Sequence, residues 1–259
     1  FEDWDYGGDR VSQGDRGRSV LLFGDSHMAQ YLPRIEKLVK EHDRPLRTVI
    51  FSTHYGCAPV PGIERKGRNC AKFVDKSMAL ARGKDVDTVV ISASWPGFAT
   101  RGDYYRIGDD PNRVLNLLTP ETQWVMDGFE ASLKELTAAG KQVVIVLSGP
   151  RGSMFDPRAM VVRNGLDFDL DVSPPVPRSR VKAMNDFVDQ PLREIAARVD
   201  ATVIDPVDLL CSPTTCPTTD DQGNPLFKDD SHLRTSVVRR GFDALDRYVF
   251  LAPQTDSRP

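Results

Sequence analysis

Histidine and cysteine are scarce in this chain, with four of each among 259 residues. Any chemistry that depends on them must therefore come from a few identifiable positions. Long hydrophobic runs are missing. The longest, Ser19–Phe23 and Val143–Leu147, fall far short of the roughly 20 apolar residues that a membrane-spanning helix needs. An excess of basic charge is missing too. The net charge is −3, without the electrostatic footprint of a nucleic-acid binder, so no nucleic-acid partner is expected. There is no internal repeat, no signal peptide and no cofactor motif. The chain opens on Phe1, in a polar segment that reads as a linker over residues 1–18. This is expected of a domain cut from something larger, or of a processed form.

What is present is one ordinary globular composition, 40% hydrophobic and 27% charged, in a chain long enough for a single sizeable core. Short runs rich in β-branched residues predict strands at Val20–Phe23, Arg47–Phe51, Thr88–Ala93, Val143–Leu147 and Thr202–Ile204. Helical periodicity predicts helices over His27–Glu41, Thr119–Ala139, Val181–Val199 and Ser236–Phe250, the second opening on Thr119-Pro120 and stopping at Gly140. This alternation implies an α/β fold, a three-layer parallel sheet with helices on both faces, over residues 19–251, followed by a tail over 252–259. Two connections, Gly97–Leu118 and Ser148–Arg180, are longer than the architecture requires and should lie on the edge that carries the site. The second interleaves Arg151, Arg158, Arg163, Arg178 and Arg180 with Asp156, Asp167, Asp169 and Asp171. It reads as a solvated loop or as a wall of an acceptor groove.

Two short motifs near opposite ends carry the chemistry. Gly24-Asp25-Ser26-His27 follows the first strand and opens a helix, where open α/β sheets place their sites. Asp229-Asp230-Ser231-His232 supplies an imidazole with a carboxylate three residues before it. A serine hydroxyl needs an adjacent base, itself oriented by a third group, to act as a nucleophile. Ser26, His232 and Asp229 make a complete set for acyl transfer, with Asp230 the second candidate for the acid. Asp25 reads as a turn-stabilising residue, and His42 as a surface helix-end histidine. A competing metal-dependent phosphoesterase would draw on Asp25, His27, His54, Asp229 and His232.

The cysteines bear on location. Four allow three pairings, of which the local pairs Cys57–Cys70 and Cys211–Cys216 close small loops and are expected. Free thiols are the competing reading, whereas the Cys-x4-Cys spacing fits zinc poorly. Disulfides would place the domain outside the cytoplasm.

The two end motifs resemble the SGNH (GDSL-type) hydrolase superfamily, whose flavodoxin-like sheet carries its nucleophile in an amino-terminal Gly-Asp-Ser. An α/β-hydrolase fits worse, because no Gly-x-Ser-x-Gly elbow occurs. Together with Cys57-Ala58-Pro59, Trp95 and Asp229-Asp230-Ser231-His232-Leu233, the Gly-Asp-Ser-His form looks like the periplasmic SGNH domain fused to bacterial membrane acyltransferases. That resemblance implies an extracytoplasmic O-acyltransferase, tethered to the inner membrane. It would move an acetyl or other acyl group through Ser26 to a carbohydrate acceptor such as lipopolysaccharide, without a cofactor or metal. The acyl donor would be delivered by an attached membrane domain. A secreted carbohydrate esterase and an inactive glycan-binding domain are the alternatives. For the oxyanion hole the resemblance implies the N–H groups of Ser26 and Gly56. The superfamily's third donor, an asparagine, has no counterpart in Ala93-Ser94-Trp95-Pro96. His27, His54 and Trp95 are candidate substrate contacts.

Overall fold

The computed structural model describes residues 7–12, 14, 18–41, 44–164, 167–170 and 174–251; the expected tail, 252–259, lies outside them. The central sheet contains β1 (Gly7–Ser12), β2 (Ser19–Gly24), β3 (Val49–His54), β4 (Val86–Ser92), β5 (Gln142–Val146) and β6 (Thr202–Ile204). Across the sheet their order is β1-β3-β2-β4-β5-β6. The last five are parallel, and β1 pairs antiparallel with β3. The linker expected over residues 1–18 is corrected here, since residues 7–12 of it form an edge strand. An edge position needs pairing on one side only, so Gly7-Gly8-Asp9-Arg10 carries no apolar run to announce it. The chain runs outward from β2 to β3, then returns to the other side of β2 for β4. That is the topological switch point of a flavodoxin-like sheet, and a crevice opens there at the carboxyl ends of the strands.

Strand alternation divides the core in two. Leu21, Phe23, Val89, Ile91, Val143 and Ile145 face α3 (Cys70–Arg82) and α5 (Gln123–Ala138), with α6 (Arg178–Arg198) completing that layer. Val20, Leu22, Val90, Val144 and Val146 face the opposite layer. This layer is built from α1 (Ser26–Ala29), α2 (Leu32–Glu41), α8 (Thr235–Gly241) and α9 (Asp246–Val249). The remaining short helices are α4 (Trp95–Thr100), directly after β4, and α7 (Pro206–Leu210), after β6.

Three expected elements differ for local reasons. The helix expected over His27–Glu41 is two, because Pro33 lacks the N–H that would bond to Ala29 one turn earlier. The helix expected over Ser236–Phe250 ends at Gly241, and Phe242 turns in to stack on Tyr31 at 4.4 Å. α3 carries no local capping signature. Its first N–H groups, on Cys70 and Ala71, bond to the Glu64 carboxylate at 2.7 and 3.1 Å from an adjacent strand turn. Cys70 opens this helix and bonds to Cys57; the second disulfide is Cys211–Cys216.

Candidate active site

The serine turn is shaped by close approach. A Cβ on Gly24 would stand 1.8 Å from the carbonyl oxygen of Ser92, so only glycine lets the end of β2 lie against the end of β4. Asp25, buried, then works in two directions. One carboxylate oxygen accepts the N–H of His27 at 2.8 Å and caps α1, and the other accepts the N–H of Ser94 at 3.0 Å. Burial opposes its charge, but these bonds and the His27 imidazole hold its carboxyl below the usual range. Asp25 is therefore a brace between two strand ends, as the turn reading anticipated.

Ser26 Oγ lies 2.8 Å from Nε2 of His232. Nδ1 of His232 lies 3.0 and 3.1 Å from the two oxygens of Asp229. Asp229 Oδ1 also accepts the backbone N–H groups of Ser231 at 3.0 Å and His232 at 2.7 Å. The three-residue spacing is what lets one carboxylate meet both the turn's backbone and the ring. Burial raises Asp229, yet the His232 contacts and the two N–H groups together drive it well below the carboxylate range. His232 is pushed down, chiefly by burial, against the pull of Asp229, which keeps the imidazole neutral and able to accept a proton. Asp230 does not face the ring; it accepts from Ser231 Oγ at 3.1 Å, and its carbonyl accepts from the N–H of Gly152 at 2.7 Å.

These residues line an open cleft of about 470 Å³, walled by Asp25, Ser26, His27, Tyr55, Gly56 and Ser94 on one side and by Lys228–His232 on the other. Arg101 and Arg158 also line it. Ser26 is only 5% exposed, so its hydroxyl is reached through the cleft and not from the open surface. Gly56, at φ +68, has its carbonyl held by Arg65 at 2.8 Å and by the Tyr104 hydroxyl at 3.1 Å. Arg65 is tied to Asp103 at 2.8 Å. The peptide lining the cleft is thus fixed from behind.

Two expected substrate contacts are corrected. Trp95 is fully buried in the core, and its indole N–H donates to the Val146 carbonyl at 2.9 Å, leaving it neither a stacking face nor a donor for the cleft. His54 does not line the cleft; its ring sits 3.4 Å from Cys57 Sγ and 5.5 Å from the ring centre of Phe73. His27 does reach the site, with its ring centre 4.2 Å from that of His232. Of the five residues of the phosphoesterase reading, Asp25, His27, Asp229 and His232 line the cleft and His54 does not, and no group of three or more His, Cys, Asp or Glu side chains is arranged to hold a metal ion among the described residues.

Several participants were not singled out in the sequence. Gln30 accepts the N–H of Leu233 at 3.0 Å and donates to the His27 carbonyl at 3.0 Å, so one buried side chain joins α1 to the histidine turn. Its signal was available in Ser-His-Met-Ala-Gln, which puts Gln30 one helical turn after Ser26. Ser94 and Arg65 left no such signal, since their roles depend on chain segments far away. Of the charges in the long Ser148–Arg180 connection, Arg158 lines the cleft, paired with Asp156 at 2.6 Å, while Arg178 pairs with Asp208. The side chains of Arg163, Asp167, Asp169 and Asp171 lie outside the described residues.

The lipopolysaccharide acetyltransferase periplasmic domain of Salmonella ser. Paratyphi A shares the fold at a TM-score of 0.62 and 14% identity, over 90% of this chain and 84% of that one. A candidate SGNH hydrolase from Slackia heliotrinireducens aligns at a TM-score of 0.42 and 14% identity, over 86% of this chain and 94% of that one. No curated protein matches the sequence. The family profile described as "SGNH domain (fused to AT3 domains)" matches residues 2–246, and the chain belongs to that family.

Proposed function

We propose that this domain transfers an acyl group, through an ester on Ser26, to a hydroxyl of a cell-surface polysaccharide. The observation that carries the reading is the unbroken line from Asp229 through His232 to Ser26 Oγ inside an open polar cleft. His232 Nε2 takes the proton from Ser26 Oγ as that oxygen attacks the donor's carbonyl carbon, and Asp229 stabilises the imidazolium. The tetrahedral adduct collapses, the leaving group takes the proton, and the acyl group stays on Ser26. An acceptor hydroxyl then gives its proton to His232, attacks the acyl carbon and leaves with the ester, and the proton returns to Ser26 Oγ.

Carbohydrate as acceptor, and transfer over hydrolysis, are supported by membership of a family fused to AT3 domains. The shared fold is that of a protein called a lipopolysaccharide acetyltransferase. We take the acyl donor to arrive from an attached membrane domain. Two disulfides, with no free cysteine among the described residues, support an extracytoplasmic site such as the periplasm. No helix among the described residues is long and apolar enough to cross a membrane, so a tether would lie elsewhere in the protein.

The test is mass spectrometry of surface glycans incubated with this chain and an activated acetyl ester. Acetylated glycan with the wild type, and none with Ser26→Ala, is the expected outcome. Free acetate alone, across glycans from the parent cell and with the full-length protein, would replace transfer with carbohydrate ester hydrolysis.

A further inference from the structure

An acyl-transfer site must hold donors where negative charge develops on the carbonyl oxygen. The N–H donors of two residues that follow β4 are already committed. The Trp95 indole N–H bonds to the Val146 carbonyl, and the Ser94 N–H bonds to Asp25. The same strand end nevertheless delivers a cation by another route. Arg101 follows α4, and its guanidinium folds back along that helix. Nη2 lies 3.3 Å from where a Cβ would stand on Gly97, one turn earlier, and the Ser94 Oγ lies 2.6 Å from the same point. Nη1 lies 3.9 Å from where a Cβ would stand on Gly56, on the facing wall. The guanidinium therefore sits beside Ser94 and reaches toward Gly56, within the cleft that Ser26 and His232 line. The absence of a side chain at position 97 leaves the room for it.

Its neighbours are spent on the protein itself. Arg65 binds Asp103 and the Gly56 carbonyl, and Arg158 binds Asp156. No described carboxylate pairs with the Arg101 guanidinium, and the residue is exposed to the cleft. A planar guanidinium presents five N–H donors in a fixed fork that matches an anionic oxygen.

We propose that Arg101 is the side-chain donor of the oxyanion site, acting from α4 in the role for which this chain has no asparagine. The inference rests on the acyl-transfer reading. On Ser26 attack the carbonyl π electrons move to oxygen, the guanidinium N–H groups bond to that anion, and no proton leaves Arg101.

The test compares wild type, Arg101→Ala, Arg101→Lys and Ser26→Ala on two activated aryl acetates, one neutral and one carrying a carboxylate. Arg101→Ala should lower kcat/KM about 100-fold on both esters, mostly in kcat, as removal of one such donor does elsewhere. Arg101→Lys should recover part of the loss and guard against a misfolded alanine variant, with melting curves checking both. A boronic acid that forms a charged tetrahedral adduct on Ser26 should bind Arg101→Ala about 100-fold more weakly. Unchanged rates and unchanged boronate affinity would overturn the role. A loss confined to the carboxylate-bearing ester would overturn it as well, making Arg101 a contact for substrate charge. A wild type no faster than Ser26→Ala on either ester would remove the acyl-transfer reading itself, and this role with it.

Discussion

The serine side of the cleft and the histidine side are held by different means. Ser26 stands on the seam between β2 and β4, where Gly24 packs against the Ser92 carbonyl and Asp25 bonds to Ser94. Its position follows from backbone packing in the middle of the sheet. His232 stands on a turn outside the sheet, closed by the bond from the Lys228 N–H to the His232 carbonyl at 2.9 Å. That turn is tied to the rest by a few specific bonds, from Leu233 to Gln30 and from Gly152 to Asp230. A rigid nucleophile thus meets a base whose aim depends on side-chain partners. Mutations should therefore affect the two sides differently: for a similar loss of stability, a change on the histidine side should cost more catalytic geometry than one on the serine side.

The largest contrast should come from the two adjacent acids. Asp229→Asn removes the group that orients the imidazole and should lower kcat/KM by about 10⁴-fold on an activated ester. Asp230→Asn, which alters a carboxylate bonded to Ser231 Oγ and keeps the backbone bond to Gly152, should change it little. The pH profile sharpens this test. Burial already sets His232 below the ordinary imidazole value, so the acid limb of wild-type activity should lie below about pH 6.5. Asp229 pulls that limb upward, because a carboxylate favours imidazolium. Its loss should move the limb to lower pH, and an upward move would contradict the assignment.

Next come the two braces. Asp25→Ala removes an N-cap and the bond to Ser94, and should cost about 1–2 kcal/mol of stability in urea melts. Gln30→Ala leaves the buried Leu233 N–H without its acceptor, at about 1–3 kcal/mol. Gln30→Ala should in addition lower kcat by roughly tenfold with little change in KM, because a misaimed base is a geometric defect. Equal kcat losses per unit of destabilisation in the two variants would erase the distinction between the sides.

The smallest effect concerns Asp189 behind the histidine side. It accepts the Ser148 hydroxyl at 2.7 Å and the Ser148 N–H at 3.2 Å, where the long connection to Gly152 begins. Burial pushes its carboxyl up to about 6. Because the folded value exceeds the unfolded one, its contribution is greatest below about pH 4 and is lost as pH rises through about 6. Asp189→Asn keeps an acceptor but does not ionise. It should raise the urea midpoint near pH 7.5 and leave it almost unchanged near pH 3.5, below both values. Equal shifts at both pH values would show that the ionisation of Asp189 does not bear on stability.

The five parallel strands and both end motifs were legible in the sequence, because each rests on local patterns. Buried parallel strands read as β-branched runs, and an Asp three residues before a His closes its own turn. What was missed depended on distant neighbours. The helix from Cys70 to Arg82 is capped by Glu64 from another turn, and β1 owes its existence to an available sheet edge. Trp95 and His54 were placed at the site by their position after strands. Side-chain direction after a strand is decided by packing, which took both away from it.

The sequence by itself determined that this chain builds a parallel α/β sheet with a serine at the carboxyl end of its first parallel strand. It also determined that an aspartate and a histidine share one late turn, since periodicity and short-range spacing carry that information. Only the tertiary structure decided that His232 reaches Ser26, that Asp229 and not Asp230 faces the ring, and that Arg101 folds back beside Ser94 toward Gly56. Those are relations between residues up to 206 positions apart. Such separations are closed by the packing of helices on the sheet, and no local pattern specifies the final ångström.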